Sequence, residues 1–188
     1  YDFDTSAGRR RWGGRISPEF WIAANDGNDL APPKATLRST TEVADMMTIH
    51  NFARGARGQR VMWLCEEMGL AYAVKNHPFP VPADYRALNP LGTLPFLEDS
   101  NGVAVNETVA IMLYIAQRYG PTPLLPTADA ALKARSLQLT MFGETEIGMN
   151  LNPLLAAHFM AGTADKRNWS VIGLEQRVER AVHYAAAL

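Results

Sequence analysis

The sequence predicts an α/β domain followed by an all-helical segment. Residues 48–52 and 71–75 are strand-like and flank a run with the helical spacing i, i+3, i+4, i+7. Two more strand-like runs, 93–97 and 103–105, lie on either side of a turn-forming stretch. Beyond residue 126 only helical patterning is found, so the expected fold class is α/β first and all-α second.

The first half of the α/β domain has the pattern of strand, helix, strand. The helix carries its apolar face at Val61, Leu64, Cys65 and Met68. Gly69 is placed to end this helix, because glycine adopts the left-handed conformation at little cost. Short links between the three elements imply that the two strands are parallel and are joined by a right-handed crossover.

The second half has the pattern of strand, strand, helix. A proline-interrupted segment precedes it, with room for one helical turn at residues 83–86. Residues 99–102, with the sequence Asp-Ser-Asn-Gly, have the chemistry of a hairpin turn between the two strands. The last helix is predicted to run to about Tyr119, with Asn106 as its cap and Glu107 in its first turn. The complete order is therefore βαβ-ββα.

The helical part follows a stiff, proline-rich linker at residues 120–126. Three helices are predicted, from about Asp129 toward Gly148, over 153–160, and from about Lys166 or Trp169 onward. The third helix is cut off at Leu188, so we expect the helical domain to be incomplete at its C-terminus.

The chain also begins with an unusual segment. Residues 1–46 show neither the helical nor the strand spacing of apolar residues over any sustained length. We expect them to be a disordered or non-native extension. A basic nucleic-acid-binding arm is the alternative, but the mixed charge of this segment argues against it. The predicted domains are this extension, an α/β domain with its linker at 47–126, and a partial all-helical domain at 127–188.

The composition is that of an ordinary globular protein. The 188 residues carry a net charge of −1, which argues against nucleic acid as a partner. The single cysteine, Cys65, excludes an internal disulfide and fits a reducing compartment. No apolar run is long enough to span a membrane. The expected location is therefore cytoplasmic, with neither a nucleic acid nor a membrane as partner.

The turn between the first strand and the first helix, residues 53–58, is where an anion site would lie. It contains no Ser, Thr, Cys or Tyr, but Arg54, Arg57 and Arg60 are close by. The free amides and the dipole of a helix start attract anions, and an arginine adds a fixed cation. The alternative is that each arginine is solvated or paired with a surface carboxylate.

Other reactive groups in the sequence do not suggest a second site. Cys65 lies on the apolar face of the first helix and has no CxxC partner, so it is predicted to be structural. The four histidines are scattered singly and do not indicate a metal site. They are His50, His77, His158 and His183.

Four segments resemble the glutathione transferases, in the order in which that family has them. They are "RVMWLCEEMGLAY", "NPLGTLPFLED", "NETVAIMLYIAQRYG" and "PLLP". They are similar to the family's first helix and second strand, its cis-proline segment, its third helix, and its link into the helical domain. The resemblance covers roughly residues 47–188 and implies a thioredoxin-like α/β domain followed by an all-α domain.

The resemblance implies which residues hold glutathione. In the family, the residue before the cis-proline pairs its backbone with the cysteinyl backbone of glutathione, and the equivalents here are Leu94 and Pro95. A Glu-Ser pair at the start of the third helix holds the γ-glutamyl end. Here that pair is Glu107 and Thr108, and the threonine keeps the hydroxyl. An ordinary edge-strand proline and plain helix capping are the alternatives.

The resemblance also changes what the turn at 53–58 must do. The nucleophile is the thiolate of glutathione, which family members stabilise with a Tyr, Ser or Cys after the first strand. Here the helix start at Ala56 and an arginine, Arg57 first and Arg54 second, are the predicted catalytic substitutes. The nearest uncharged side-chain donors are Asn51, Gln59 and, on the next strand, Tyr72.

The function implied is that of a glutathione transferase. Such an enzyme binds glutathione as a co-substrate and, without a metal, transfers its sulfur to a small hydrophobic electrophile. The family also implies a homodimer, and Met141, Phe142, Met149 and Phe159 are candidates for the electrophile pocket. The alternatives are a non-catalytic binding or interaction module of the same fold, and a fragment without function.

Overall fold

The structure is a computed structural model that describes residues 46–52, 57–163 and 165–188. Its strands are β1 Met47–Phe52, β2 Tyr72–His77, β3 Phe96–Glu98 and β4 Ala104–Asn106. Its α-helices are α1 Gly58–Met68, α2 Ala83–Leu88, α3 Thr108–Arg118, α4 Ala130–Phe142, α5 Met149–Met160 and α6 Trp169–Ala186. A π-helical segment, Gly143–Gly148, joins α4 to α5, and a 3₁₀ turn, Asp165–Arg167, precedes α6. The predicted fold class, βαβ-ββα followed by helices, is confirmed. The predicted extension lies outside the described residues, apart from Met46.

The strands of the first part form one mixed sheet with the order β2-β1-β3-β4. Strand β1 is parallel to β2, as the short connection through α1 predicts, and antiparallel to β3. Strand β3 is antiparallel to β4 as well, with Phe96 opposite His50 on one side and opposite Asn106 on the other. Every residue of β3 therefore has a defined neighbour on both sides.

One face of the sheet is covered by α1. Because side chains alternate along a strand, this face carries the buried side chains of β1 at Met47, Ile49 and Asn51. A Cβ added to Gly58 would overlap Asn51 Oδ1, so the first residue of α1 lies directly against Asn51. Helix α1 ends at Gly69, whose φ is 66°. The predicted glycine stop is thus confirmed, and three of the four predicted apolar positions are buried, at Val61, Leu64 and Cys65.

The opposite face of the sheet carries α2 and a small core of its own. The ring of Tyr85 in α2 is buried, with its centroid 5.6 Å from that of His50 and 6.4 Å from that of Phe96. Val81 and Leu94 pack into the same cluster. The central strand β1 is therefore buried on both faces.

The hairpin between β3 and β4 forms as predicted, but the predicted cap of α3 is wrong. The Gly102 N–H donates to the Asp99 carbonyl oxygen at 2.9 Å and closes the turn. At the start of α3, it is Glu107 whose carbonyl accepts the bond from the Ile111 N–H. Asn106 is part of β4, and its buried Oδ1 has no hydrogen-bond partner among the described residues. Its side chain therefore follows the strand and does not reach the helix start.

The contacts within the chain divide it into two compact units, of which the second is Ala116–Leu188. In this unit Asp129 is the N-cap of α4, and its carboxylate accepts from the N–H groups of Ala131 and Leu132. The predicted bounds at residues 126 and 127 stay predictions. No described helix combines the length and the apolar character needed to cross a membrane.

The predicted break between the first two helices of the second unit is wrong. Helical structure continues from α4 through the π-helical segment into α5, and Pro153 lies inside α5. The buried side chain of Asn150 stabilises the junction, because its Nδ2 donates to the carbonyl oxygens of Glu146 at 2.8 Å and Thr145 at 3.2 Å. A glycine such as Gly148 costs a helix only about 1 kcal/mol, and a π-helical turn accommodates the irregularity.

Replacing Gly58 by alanine is expected to destabilise the first unit, because the new Cβ would overlap the buried side chain of Asn51. Overpacking of this kind costs about 1–3 kcal/mol, which urea denaturation would measure as a lower free energy of unfolding. Gly173→Ala is the matched control. A Cβ there meets no atom within 4 Å, so that helix should gain about 0.5–1 kcal/mol. Equal stability of Gly58→Ala and the wild type would contradict the contact with Asn51.

Cys65 is expected to be unreactive in the native protein. The side chain is 0% exposed, and burial, with a smaller contribution from Glu66, raises the pKa of its thiol to about 12. Because only the thiolate reacts, a maleimide at about pH 8 should label the folded protein at least about a hundredfold more slowly than the urea-unfolded protein. Cys65→Ala, which has no thiol, gives the background signal of the labelling assay. Rapid labelling under conditions where circular dichroism shows a folded chain would contradict the burial of this thiol.

Candidate functional site

Three strand ends meet at one edge of the sheet. Continuing the β1–β3 and β3–β4 registers by one residue places Asn51 and Glu107 on the two sides of Pro95. Gly58, at the start of α1, lies against Asn51 at the same edge. The fold therefore brings together segments that are distant in sequence, and we refer to this region, formed by residues 51, 57–58, 94–95 and 107–108, as the sheet edge.

The segment before β3 is held from the α2 side. The Leu94–Pro95 peptide bond is cis, Pro95 is buried, and Leu94 is half-buried. The carbonyl oxygen of Thr93 accepts hydrogen bonds from the Tyr85 hydroxyl at 2.6 Å and from Asn89 Nδ2 at 2.9 Å. Leu94 itself lies outside the ladder of β3. Its backbone is therefore placed beyond the last paired residue of the strand, next to a carbonyl that is fixed in position.

Glu107, at the start of α3, has a backbone conformation that is uncommon outside glycine. Its φ is 69°, in the left-handed region, which costs a residue of this type about 1–3 kcal/mol. The Glu107 side chain is exposed, whereas Thr108 is buried and only 3% exposed. Backbone strain of this kind is concentrated at binding and catalytic sites. The start of α3 therefore presents a carboxylate to solvent and a hydroxyl beneath it.

Arg57 occupies the N-cap position of α1. Its φ of −58° and ψ of −23° are helical, and its side chain makes no capping hydrogen bond. The first turn of α1 contains no acidic residue that would offset the positive end of the helix dipole. Arg54 and Ala56, which were also predicted for this site, lie outside the described residues.

The uncharged donors considered from the sequence are placed differently from one another. Tyr72 pairs with Met47, so it lies at the opposite end of β1 from the sheet edge. Its hydroxyl donates to Glu66 Oε1 at 2.9 Å. Burial, and to a smaller extent Glu66, raises the pKa of this phenol. Asn51 lies at the sheet edge, is buried, and has an Oδ1 without a partner among the described residues. Tyr72 is thus excluded from the site, whereas Asn51 belongs to it.

Two of the histidines lie side by side, so the prediction that all four are isolated is wrong for His50 and His77. His50 Nδ1 lies 2.8 Å from His77 Nε2, and His50 Nε2 lies 2.6 Å from Glu98 Oε2. Both rings are buried. Strand-like patterning around each histidine was visible in the sequence, but the contact depends on the parallel register of β1 and β2. We refer to these two residues as the histidine pair.

The environment of His77 favours its neutral ring. Burial lowers the pKa of His77, and the nearby His50 and Lys75 lower it further, while Asp84 acts in the opposite direction. Within the described residues, no group of three or more His, Cys, Asp or Glu side chains is arranged to hold a metal ion.

The second unit contains an open cavity of about 500 Å³. Met141 and Phe142, two of the candidates for an electrophile pocket, line it together with Tyr184, whose ring centroid lies 5.0 Å from that of Phe142. The other two candidates, Met149 and Phe159, do not line this cavity and are exposed. The cavity thus has an aromatic wall, and its lining also includes the charged residues Glu146, Arg177 and Arg180.

Comparison with known proteins identifies relatives of this chain. Residues 56–118 match the family model for the N-terminal domain of glutathione S-transferase. Glutathione S-transferase 3 of Schizosaccharomyces pombe is 28% identical over 106 residues, which are 54% of this chain and 43% of that protein. The stringent starvation protein A homolog of Pasteurella multocida is 32% identical over 105 residues, 55% of this chain and 49% of that protein. The chain thus spans less than half the length of these two curated relatives.

A solved structure shares the fold. The glutathione transferase URE2P6 from Phanerochaete chrysosporium, in complex with oxidised glutathione, matches with a TM-score of 0.68 and 20% sequence identity. The match covers 78% of this chain and 69% of that structure. It shows the same thioredoxin-like domain followed by helices. The matched segment, the sequence relatives and the shared fold agree: residues 56–118 correspond to the N-terminal domain of the glutathione transferases, and the described chain has the fold of that family.

Proposed function

We propose that the protein binds glutathione at the sheet edge and transfers its sulfur to a small hydrophobic electrophile. The observation that carries the proposal is the register that places Pro95 between Asn51 and Glu107, with the start of α1 alongside. Two comparisons support it: one relative is named a glutathione S-transferase, and a structure of the same fold is a complex with oxidised glutathione.

Glutathione would lie along the sheet edge in an extended conformation. The Leu94 backbone would pair with its cysteinyl backbone in the manner of an added strand, because Leu94 lies beyond the ladder of β3. The γ-glutamyl carboxylate would lie at the start of α3, where the first-turn amides and the Thr108 hydroxyl are donors. The exposed carboxylate of Glu107 would accept from the γ-glutamyl amino group.

The proposed reaction needs a thiolate and no metal. The thiol of glutathione loses its proton, its sulfur forms a bond to the electrophilic carbon, and the leaving group departs with the electron pair of the broken bond. A cation and free amides beside the sulfur lower the pKa of the thiol. Arg57 is the described residue proposed for this role, with Arg54 and the amide of Ala56 as further contributors.

A non-catalytic binding module is the second candidate function. Two observations favour it: the turn at 53–58 has no Ser, Thr, Cys or Tyr, and one relative is named stringent starvation protein A homolog rather than a transferase. An assay with glutathione and an aromatic halide distinguishes the candidates. Conjugate formation supports the transferase, whereas firm glutathione binding without turnover supports the module.

The location and the assembly of the protein are also proposals. We infer a cytoplasmic location from the single cysteine, which fits a reducing compartment. A homodimer is proposed from the family resemblance, and sedimentation equilibrium would test it.

Glu107→Ala is expected to weaken glutathione binding by about tenfold or more, because a charge-assisted hydrogen bond contributes about 1.5–3 kcal/mol. Isothermal titration calorimetry measures the change in Kd. Glu175→Ala, the same substitution at an exposed position of α6, is the matched control and should bind like the wild type. Thr108→Val tests the neighbouring hydroxyl without shortening the side chain. Wild-type Kd values for both Glu107→Ala and Thr108→Val would place glutathione elsewhere.

Arg57→Ala is expected to raise the pKa of the bound glutathione thiol by about one unit, which lowers the conjugation rate near pH 7 about tenfold. The ultraviolet absorbance of the thiolate reports this pKa directly. Arg57→Lys keeps the charge and should recover part of the effect, and Arg60→Ala, one turn further along α1, is the control. If Arg57→Ala and the wild type have the same thiol pKa and the same pH–rate profile, Arg57 does not stabilise the thiolate.

A further inference from the structure

We propose that Glu98 and the histidine pair act as positioning residues that couple the backbone at Thr93 and Leu94 to pH. Through this backbone they would tune the affinity for glutathione, a consequence that rests on the function proposed above. The three side chains lie on the α2 side of the sheet, joined by the His50–Glu98 and His50–His77 contacts, and none of them is proposed to touch the ligand.

The carboxylate of Glu98 determines which hydrogen each ring carries. The His50 side chain is fully buried, whereas that of Glu98 is 41% exposed and reaches solvent. An ionised carboxylate only accepts hydrogen bonds, so His50 Nε2 carries a hydrogen and donates to Glu98 Oε2 at 2.6 Å. In the neutral ring the Nδ1 of His50 is then an acceptor. His77 Nε2–H therefore donates to it across 2.8 Å.

This arrangement tolerates one added proton but not two. When one ring is cationic, a single hydrogen still lies between His50 Nδ1 and His77 Nε2, and the hydrogen bond is kept. When both rings are cationic, both of these nitrogens carry hydrogen, and two like charges face each other in a buried site. The rings are stacked with centroids 5.1 Å apart and an interplanar angle of 9°, so they must then separate.

Tyr85 transmits a movement of His77 to the backbone before Leu94. The centroids of the His77 and Tyr85 rings are 4.3 Å apart. The Tyr85 hydroxyl donates to the Thr93 carbonyl oxygen at 2.6 Å, and Asn89 Nδ2 donates to both of these oxygens, at 3.1 Å and 2.9 Å. Displacement of the His77 ring therefore disturbs the hydrogen bonds that hold the carbonyl adjacent to Leu94.

The groups around His77 determine the pH at which its ring gains a proton. They are His50 on β1, Lys75 on β2, Asp84 and Tyr85 on α2, and, beyond His50, Glu98 on β3. Burial, His50 and Lys75 together outweigh Asp84 and lower the pKa of His77 below its ordinary value of 6.5. Stabilisation by the neutral ring is thus complete above pH 6.5 and is lost as the pH falls from there through the lowered pKa.

A pH titration of the wild type and of His77→Gln tests the proposal. We expect the amide resonance of Leu94 in ¹H–¹⁵N NMR spectra to shift in the wild type as the pH falls from about 6.5 to about 5, and to stay constant in His77→Gln. Over the same range the Kd for reduced glutathione, measured by calorimetry, should rise about three- to tenfold in the wild type and less than about twofold in the variant. His183→Gln changes an exposed histidine of α6 that lies 3.8 Å from Glu179, and it should follow the wild type.

A second variant keeps the test informative if His77→Gln fails to fold. Glu98→Gln retains an acceptor for His50 but removes the negative charge. The pH at which the Leu94 amide resonance shifts should therefore be lower than in the wild type. The proposal is overturned if the Leu94 resonance titrates identically in the wild type and in the folded variants, or if the glutathione Kd is independent of pH while Leu94 titrates. If the wild type binds no glutathione at any pH, the proposed function fails, and the Leu94 resonance alone decides whether the pair positions this backbone.

Discussion

The pairing of Phe96 with His50 on one side and with Asn106 on the other is the constraint on which the described part of the first unit depends. Because side chains alternate along a strand, a slip of one residue would move the whole buried set of β3 to the opposite face. The same pairing leaves Pro95 between the ends of β1 and β4. One register therefore positions both the sheet edge and the contact of Glu98 with the histidine pair.

Elements with local signals could be predicted from the sequence, and contacts that depend on register could not. The apolar spacing of α1, its stop at Gly69 and the turn before β4 are determined by neighbours in the chain. By contrast, the two rings of the histidine pair come from positions 27 residues apart. Asn106 has a good capping side chain, but its place in β4 outweighed that propensity. Pro153 and Gly148 are helix-breaking types, yet the buried amide of Asn150 stabilises a continuous helical run.

The candidate site was predicted by resemblance to a family rather than by a physical pattern in the sequence. Leu94, Pro95, Glu107 and Thr108 belong to two motifs, and nothing in their local spacing says that the motifs are neighbours. The structure adds two properties that residue types alone did not indicate. Glu107 adopts a left-handed φ without being glycine or asparagine, and Thr93 has its carbonyl held by two donors. The backbone at Thr93 is thus held by hydrogen bonds, and the backbone at Glu107 is strained. Both properties are typical of a preorganised binding site.

Titration of the ¹⁵N-labelled wild-type protein with reduced glutathione measures most directly whether the ligand occupies the sheet edge. Saturable shifts are expected at the amides of Leu94, Glu107 and Thr108, while Tyr72, at the opposite end of the sheet, should keep its resonance. Shifts concentrated at the residues that line the cavity of the second unit, or no saturable shifts at all, would contradict glutathione binding at this edge.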